Sequence, residues 1–369
     1  MLKNLSHYTL SFIYINILSF LTIPIFTRYL TPADYGVLAI FGMFGSIITN
    51  IFSVGLLSVS IVFYHKLDFS FFKSLNFTNF IFLFFSFFVG LLLVYISEDF
   101  IVKNIFNDSI NKNILYLSYF YSCLYRFYFY FYQQLIQQKR SRLYLIFSIL
   151  FNTTVTISAL ILLVIYSQGL FSRIYSGIFS LILFAPLIFL FNLKYLSFEF
   201  SFKKLFKSIK FSYPYISGTI IGSINDSFDK TMLNNFKGKS ELGQYHIAQQ
   251  FSSMTKEIMN LINQIWSPFF FENASKSNDT KKQNIIEKYY EIICFFNYIA
   301  VIISCFCHEI IILLTTEQYY FSAFLIPIFI ASYLFASMVG SLSKLQLMIS
   351  EKLIYSVYSS VLFVIIKIK

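Results

Sequence analysis

Phe77-Thr-Asn-Phe-Ile-Phe-Leu-Phe-Phe-Ser-Phe-Phe-Val-Gly-Leu-Leu-Leu-Val-Tyr-Ile96 carries no charged residue. As a helix, such a run is long enough to cross a hydrocarbon core of about 30 Å. Similar runs lie on both sides of it. Read between charges, the candidate spans are residues 8–26, 36–63, 77–96, 114–136, 143–166, 174–193, 211–234, 244–270, 286–314, 320–342 and 353–366, the last short for a full crossing. The runs are continuous rather than alternating, which excludes a β-barrel. The first run follows Met1-Leu-Lys-Asn4 without a small-residue cleavage pattern and reads as a retained membrane helix.

Composition agrees. Of 369 residues, 57% are hydrophobic, 12% are charged and 49 are Phe. A soluble fold cannot hide this much apolar surface, because much of any folded surface still faces water. A soluble enzyme, a nucleic-acid-binding domain and a disordered chain are therefore excluded. The expected fold is an all-α polytopic membrane protein of about 11–12 transmembrane helices.

The net charge of +11 would otherwise point to an anionic partner such as nucleic acid. Position decides its meaning. With the N-terminus cytoplasmic, inside segments carry Lys66, Lys73, Lys139, Arg140, Arg142 and the Lys194–Lys210 cluster, among others, and inside cations outnumber outside ones by about two to one. Most of the excess thus marks the cytoplasmic face, and no nucleic acid is needed to explain it. Residues 196–210 alternate Phe and Leu with Lys, as in an interfacial amphipathic helix. They divide the chain into an N-terminal six-helix lobe (1–195), a cytoplasmic linker (196–210) and a C-terminal lobe (211–369) that is one helix short of six. Two weak matches support a duplication. Lys3-Asn-Leu-Ser-His-Tyr8 pairs with Lys210-Phe-Ser-Tyr-Pro-Tyr215, and Asp34-Tyr-Gly-Val-Leu-Ala39 pairs with Gly243-Gln-Tyr-His-Ile-Ala248, at nearly the same separation. Six spans per half makes the halves parallel repeats, which would enclose a central cavity.

Polar residues concentrate in the first two spans of each half. Span one holds Asn16, with Arg28 at its outer end. Span two holds Ser46, Thr49, Asn50, Ser53 and Ser60 as a stripe. Span seven places Asp226, Asp229 and Lys230 on one helical face with Ser223 above them. Span eight carries Gln249, Ser252, Ser253, Lys256, Asn260 and Asn263, with Glu257 adjoining. A charge at mid-membrane costs about 2.5–3.5 kcal/mol on insertion scales and should face a cavity or a partner. Arg126 stands in the Tyr-rich span four and fits either a structural pair or a snorkeling side chain. Asp229 and Lys230 also fit a solvated helix end. Cys123, Cys294, Cys305 and Cys307 lack metal-site spacing and read as buried free thiols. Pro24, Pro186, Pro214, Pro268 and Pro327 are expected at kinks or helix ends.

The stretch Pro24-Ile-Phe-Thr-Arg-Tyr-Leu-Thr-Pro-Ala-Asp-Tyr-Gly-Val-Leu-Ala39 resembles the first loop of bacterial polysaccharide flippases. These are the O-antigen and capsule exporters of the multidrug/oligosaccharidyl-lipid/polysaccharide (MOP) superfamily. Asp229-Lys230, a short Lys-Gly loop and Leu242-Gly-Gln-Tyr-His-Ile-Ala248 also look like that family. The resemblance covers essentially the whole chain. It implies a non-enzymatic, multi-pass transporter in the bacterial cytoplasmic (inner) membrane. That transporter would move undecaprenyl-diphosphate-linked oligosaccharide, a lipopolysaccharide or capsule precursor, between leaflets by alternating access. Arg28, Arg126, Lys230 and Lys256 would meet the diphosphate. Asn16, Asn50, Ser53, Ser223, Gln249, Ser253 and Asn260 would line the cavity, and Asp226, Asp229 and Glu257 are the candidates for coupling to H+ or Na+. No Walker-type loop is present and no cofactor is implied. The lipid bilayer is the expected environment, with a polysaccharide polymerase and a chain-length regulator as expected partners. Two other classes compete: a multidrug exporter of the same superfamily, and a membrane polysaccharide polymerase.

Overall fold

The structure, a computed structural model, describes residues 2–106, 111–274 and 297–335, with residues 287, 291, 294 and 295. Among the described residues there is helix and no strand. In chain order the helices are α1 (Leu2–Tyr29), α2 (Pro32–Ser53), α3 (Leu56–Lys66), α4 (Phe69–Phe100), α5 (Lys112–Gln137), α6 (Ser141–Val164), α7 (Phe171–Asn192), α8 (Phe202–Lys237), α9 (Lys239–Ala274), α10 (Asn297–Cys305), α11 (Cys307–Leu314) and α12 (Ser322–Phe335). Residues Ser6–Tyr29, Pro32–Ser53, Phe69–Lys103, Ser141–Val164 and Phe171–Tyr195 are long and apolar enough to cross a membrane, as is α10–α11 taken as one span.

Spans one and three to six are helices where the apolar runs place them. Three elements differ from the sequence reading. Span two is not continuous: Val54 (φ 47°) and Gly55 (φ 63°) separate α2 from α3. Left-handed backbone suits glycine but strains a β-branched residue such as Val54. Span nine bends by 60° between α10 and α11 at Phe306, where neither Pro nor Gly stands and nothing in the sequence explains the bend. The amphipathic segment 202–210 is not a separate helix but the first turns of α8, which runs on through span seven. No Gly or Pro falls between Phe202 and Tyr213 to end the helix earlier. Span eleven and the end of span ten lie outside the described residues.

Chain punctuation follows ordinary rules. Pro32 opens α2 at its first position, where no N–H partner is required, and Asp34 sits in the positive first turn. Asn111 caps α5 by accepting from the Asn113 N–H at 3.1 Å. Gly238 (φ 96°) closes α8, its N–H bonding the carbonyls of Asn234 and Leu233.

The chain forms two compact units. The first takes in Met1–Leu18 and Ala33–Leu242; the second takes in Ser19–Pro32 and the described residues from Gly243 onward. In the first unit, Phe63, Phe72, Tyr128, Tyr130, Phe131, Phe147, Phe151 and Phe184 form the core where α3, α4, α5, α6 and α7 meet. Gly90 and Gly177 allow close approach: a Cβ at either would press on Tyr119 or Tyr121 of α5. A polar ladder joins α1 to α6 in parallel, with His7 to Ser141 at 3.0 Å, Ser11 to Ser148 at 3.0 Å and Tyr14 to Thr153 at 2.5 Å. The outward side of α4 exposes Phe85, Leu92, Tyr95 and Ile96, as expected of a helix facing lipid. At the far end of α4, Lys112 pairs with Glu98 and Asp99, each at 2.8 Å. Their carboxylates raise the Lys112 pKa, Asp99 more than Glu98.

In the second unit, Thr27 donates to the Leu314 carbonyl at 3.3 Å, and Tyr319 donates to the Leu30 carbonyl at 2.6 Å. Ser252 of α9 donates to the Ile326 carbonyl of α12 at 3.3 Å. These bonds tie the end of α1 and the middle of α9 to α11 and α12.

Candidate functional site

Within the first unit, three helices meet through polar side chains. Arg126 of α5 donates through Nη2 to Oδ1 of Asn50 on α2 at 2.6 Å and to Oγ1 of Thr49 at 3.3 Å. Asn50 passes the connection on, its Nδ2 donating to Oγ of Ser223 on α8 at 2.6 Å. The arrangement follows from helical spacing. Thr49, Asn50 and Ser53 fall on adjacent turns of α2, and the Thr49 hydroxyl donates to the Gly45 carbonyl at 2.8 Å. That bond leaves its lone pairs turned toward α5.

A cavity of about 20 Å³, room for about one water, adjoins the guanidinium. Thr49, Ser53, Ser86, Cys123 and Arg126 supply its polar wall; Phe52, Leu83, Phe87 and Phe127 supply the rest. Among the described residues no carboxylate lies within ion-pair distance of Arg126. A cation held by neutral oxygens keeps its full charge available to an anion. Had Asn50 been Asp, that charge would be neutralised in place.

The other sequence candidates fall into two groups. On α8, Asp226 is exposed, and Asp229 and Lys230 are partly buried on the same helix as Ser223. Asn16 of α1 turns back to the Phe12 carbonyl of its own helix at 2.9 Å. Ser53 is buried beside the cavity. In the second unit, Arg28 is exposed in the last turn of α1, where a cation complements the helix dipole. Lys256 is exposed, with Nζ 5.6 Å from the Tyr333 ring centre, and Glu257 is exposed beside it. Gln249 is partly buried, and Ser253 donates to the Gln250 carbonyl at 2.7 Å. The Asn260 side chain lies outside the described residues. The structure therefore brings together Arg126, Asn50, Ser53 and Ser223 of the residues singled out from sequence.

Two features depart from the sequence reading. Cys123 and Cys307 are buried thiols, but Cys294 and Cys305 are exposed. A second polar cluster, absent from the sequence expectations, lies between α3, α4 and α5. Asn76 and Gln134 exchange amide hydrogen bonds of 3.0 and 2.9 Å; Tyr130 donates to Asn76 Oδ1 at 2.6 Å, and Ser60 lies 2.7 Å from the Tyr130 hydroxyl. All four side chains are buried. The available signal was the spacing of Tyr130 and Gln134 at i and i+4, hidden in the aromatic run of α5.

Comparison with solved structures shows a shared fold. An inward-facing multidrug resistance MATE family transporter of the MOP superfamily is similar at a TM-score of 0.67 and 12% identity, over 90% of this chain and 80% of that one. A mutant form of the MATE transporter VcmN of Vibrio cholerae is similar at 0.61 and 12%, over 91% and 82%. A MOP superfamily transporter from Pyrococcus furiosus, described by the reverse polarity of its binding pocket, is similar at 0.53 and 12%, over 98% and 87%. Among curated proteins none matches. The family model described as "Polysaccharide biosynthesis protein" matches residues 1–274. The chain thus belongs to the polysaccharide biosynthesis protein family, and its all-α, multi-pass fold is similar to that of MOP superfamily transporters.

Proposed function

We propose that this transporter flips undecaprenyl-diphosphate-linked oligosaccharide units, an O-antigen or capsule precursor, across the bacterial cytoplasmic membrane. One observation carries the reading: a guanidinium inside the helix bundle, held by Thr49 and Asn50 and paired with no carboxylate among the described residues. A diphosphate entering low dielectric loses its hydration, and a fixed guanidinium offsets that loss with bidentate donors. The same charge would repel the organic cations of a multidrug exporter. Hydroxyl and amide groups of Asn50, Ser53 and Ser223 suit sugar hydroxyls. The lipid tail stays in the bilayer.

On this reading the chain works by alternating access with its N-terminus cytoplasmic, the lobes at 1–195 and 211–369 acting as the moving parts. Arg28, Lys230 and Lys256 supplement Arg126, and Asp226, Asp229 or Glu257 couples the cycle to an H+ or Na+ gradient. No step is catalytic. Complementation tests it. A strain lacking its own polysaccharide flippase should regain surface polysaccharide with the wild-type gene and lose it with Arg126→Ala at equal expression. Unchanged polysaccharide with Arg126→Ala would overturn the assignment.

A further inference from the structure

At the end of the first unit where α4 and α8 begin, two lysines crowd one aromatic ring. Nζ of Lys204 lies 4.7 Å and Nζ of Lys207 lies 4.8 Å from the centre of Phe71. Lys207 also reaches the Phe63 ring at 5.6 Å, and Lys73 stands over Phe69 at 4.7 Å. Lys204 is fixed further by donating to Ser74 Oγ at 2.5 Å. Two ammonium groups on one ring repel each other, and the ring quadrupole offsets only part of that repulsion. Among the described residues, no carboxylate lies within ion-pair distance of Lys204 or Lys207. Glu199 is close by in sequence, and its carbonyl accepts from Ser74 at 3.3 Å. An anion placed between Lys204 and Lys207 would remove the repulsion.

The surroundings say which anion. On other sides of the same short stretch, Phe198 is 73% exposed, Phe202 68% and Phe206 70%, while Leu205 and Ser208 face inward. Large rings open to the surroundings next to ammonium groups match the headgroup level of a bilayer, where the rings enter the acyl boundary and the charges meet phosphates. A free anion would need no such rings.

We propose that Lys204 and Lys207, backed by Phe71 and Ser74, bind the phosphate of an anionic phospholipid, while Phe202 and Phe206, on another side of the same helical turns, enter the acyl boundary and set the depth of α8. The site is separate from Arg126 and does not depend on what the protein transports. A lipid held there anchors the start of α8.

Native mass spectrometry of the full chain in mild detergent tests it, with phosphatidylglycerol and phosphatidylcholine supplied in equal amounts. The wild type should retain phosphatidylglycerol over phosphatidylcholine by about tenfold or more, as two surface lysines predict. Lys204→Gln/Lys207→Gln should abolish the preference, while Lys203→Gln, on an exposed neighbour, should keep it. Equal retention of the two lipids by the wild type would overturn the proposal, and that comparison stands even if the double variant does not fold. An unchanged preference in a folded double variant would overturn it too. So would loss of the retained phosphatidylglycerol to millimolar inorganic phosphate, since the site would then take a soluble anion.

Discussion

Arg126 and Asn50 are joined by a 2.6 Å hydrogen bond between α5 and α2, and the amide of Asn50 donates onward to Ser223 of α8. An apolar bundle has little reason to hold a guanidinium unless the charge serves something. Neutral partners orient it without cancelling it, and a variant that cancels it should separate stability from transport.

Asn50→Asp should convert the orienting amide into a counter-ion for Arg126. The folded state should be as stable as the wild type or more so, because a charge-assisted bond replaces a neutral acceptor. Flipping of an anionic lipid should nonetheless fall by about tenfold, a loss of roughly 1.4 kcal/mol of interaction with the anion. Paired thermal-unfolding and transport assays separate the two effects. Wild-type transport with Asn50→Asp would show that the free charge is not used.

The buried amide cluster makes a stability prediction of a different kind. Removing Asn76 as Asn76→Ala leaves the Gln134 amide buried without the partner it has here and Tyr130 with Ser60 alone, at about 1–3 kcal/mol. Tyr130→Phe deletes a single donor, and Asn76 keeps Gln134, so its cost should be nearer 1 kcal/mol. Melting temperatures in one detergent should rank wild type, Tyr130→Phe and Asn76→Ala in descending order.

At the other end of α4 the Lys112 ion pairs behave as a surface feature. Their carboxylates raise the Lys112 pKa above its ordinary 10.5. A raised lysine contributes fully below the unfolded value and loses that contribution only as pH climbs through the folded one. The stability difference between wild type and Lys112→Gln should therefore be small and constant from about pH 7 to about pH 9. Differential scanning fluorimetry at the two ends of that range checks it; a difference that shrinks within it would contradict the sign.

Spans one, three, five and six are readable because each apolar run suffices to cross a membrane, whereas the Tyr-rich α5 is helical but not among the helices apolar enough to do so. The break at Val54–Gly55 was less visible, since a single glycine in a long apolar run is compatible with an unbroken helix. The bend at Phe306 left no trace in residue type. Among site residues, Arg126, Asn50, Ser53 and Ser223 were singled out as polar groups in apolar runs, but their meeting depends on three helices far apart in sequence. The Asn76–Gln134–Tyr130 cluster is not legible in the sequence because Asn76 stands one residue outside the run that defines its span, and Tyr130 is one tyrosine among many.

The central claim is that Arg126 meets the diphosphate of a lipid-linked sugar during flipping. It is tested most directly in vesicles reconstituted with the full chain and a fluorescent undecaprenyl-diphosphate-linked oligosaccharide, by measuring the fraction that becomes accessible on the opposite leaflet over time. Rapid exchange is expected with the wild type, a partial rate with Arg126→Lys, whose point charge lacks the planar fork, and at least about tenfold slower exchange with Arg126→Gln. Exchange with Arg126→Gln at the wild-type rate would contradict the claim.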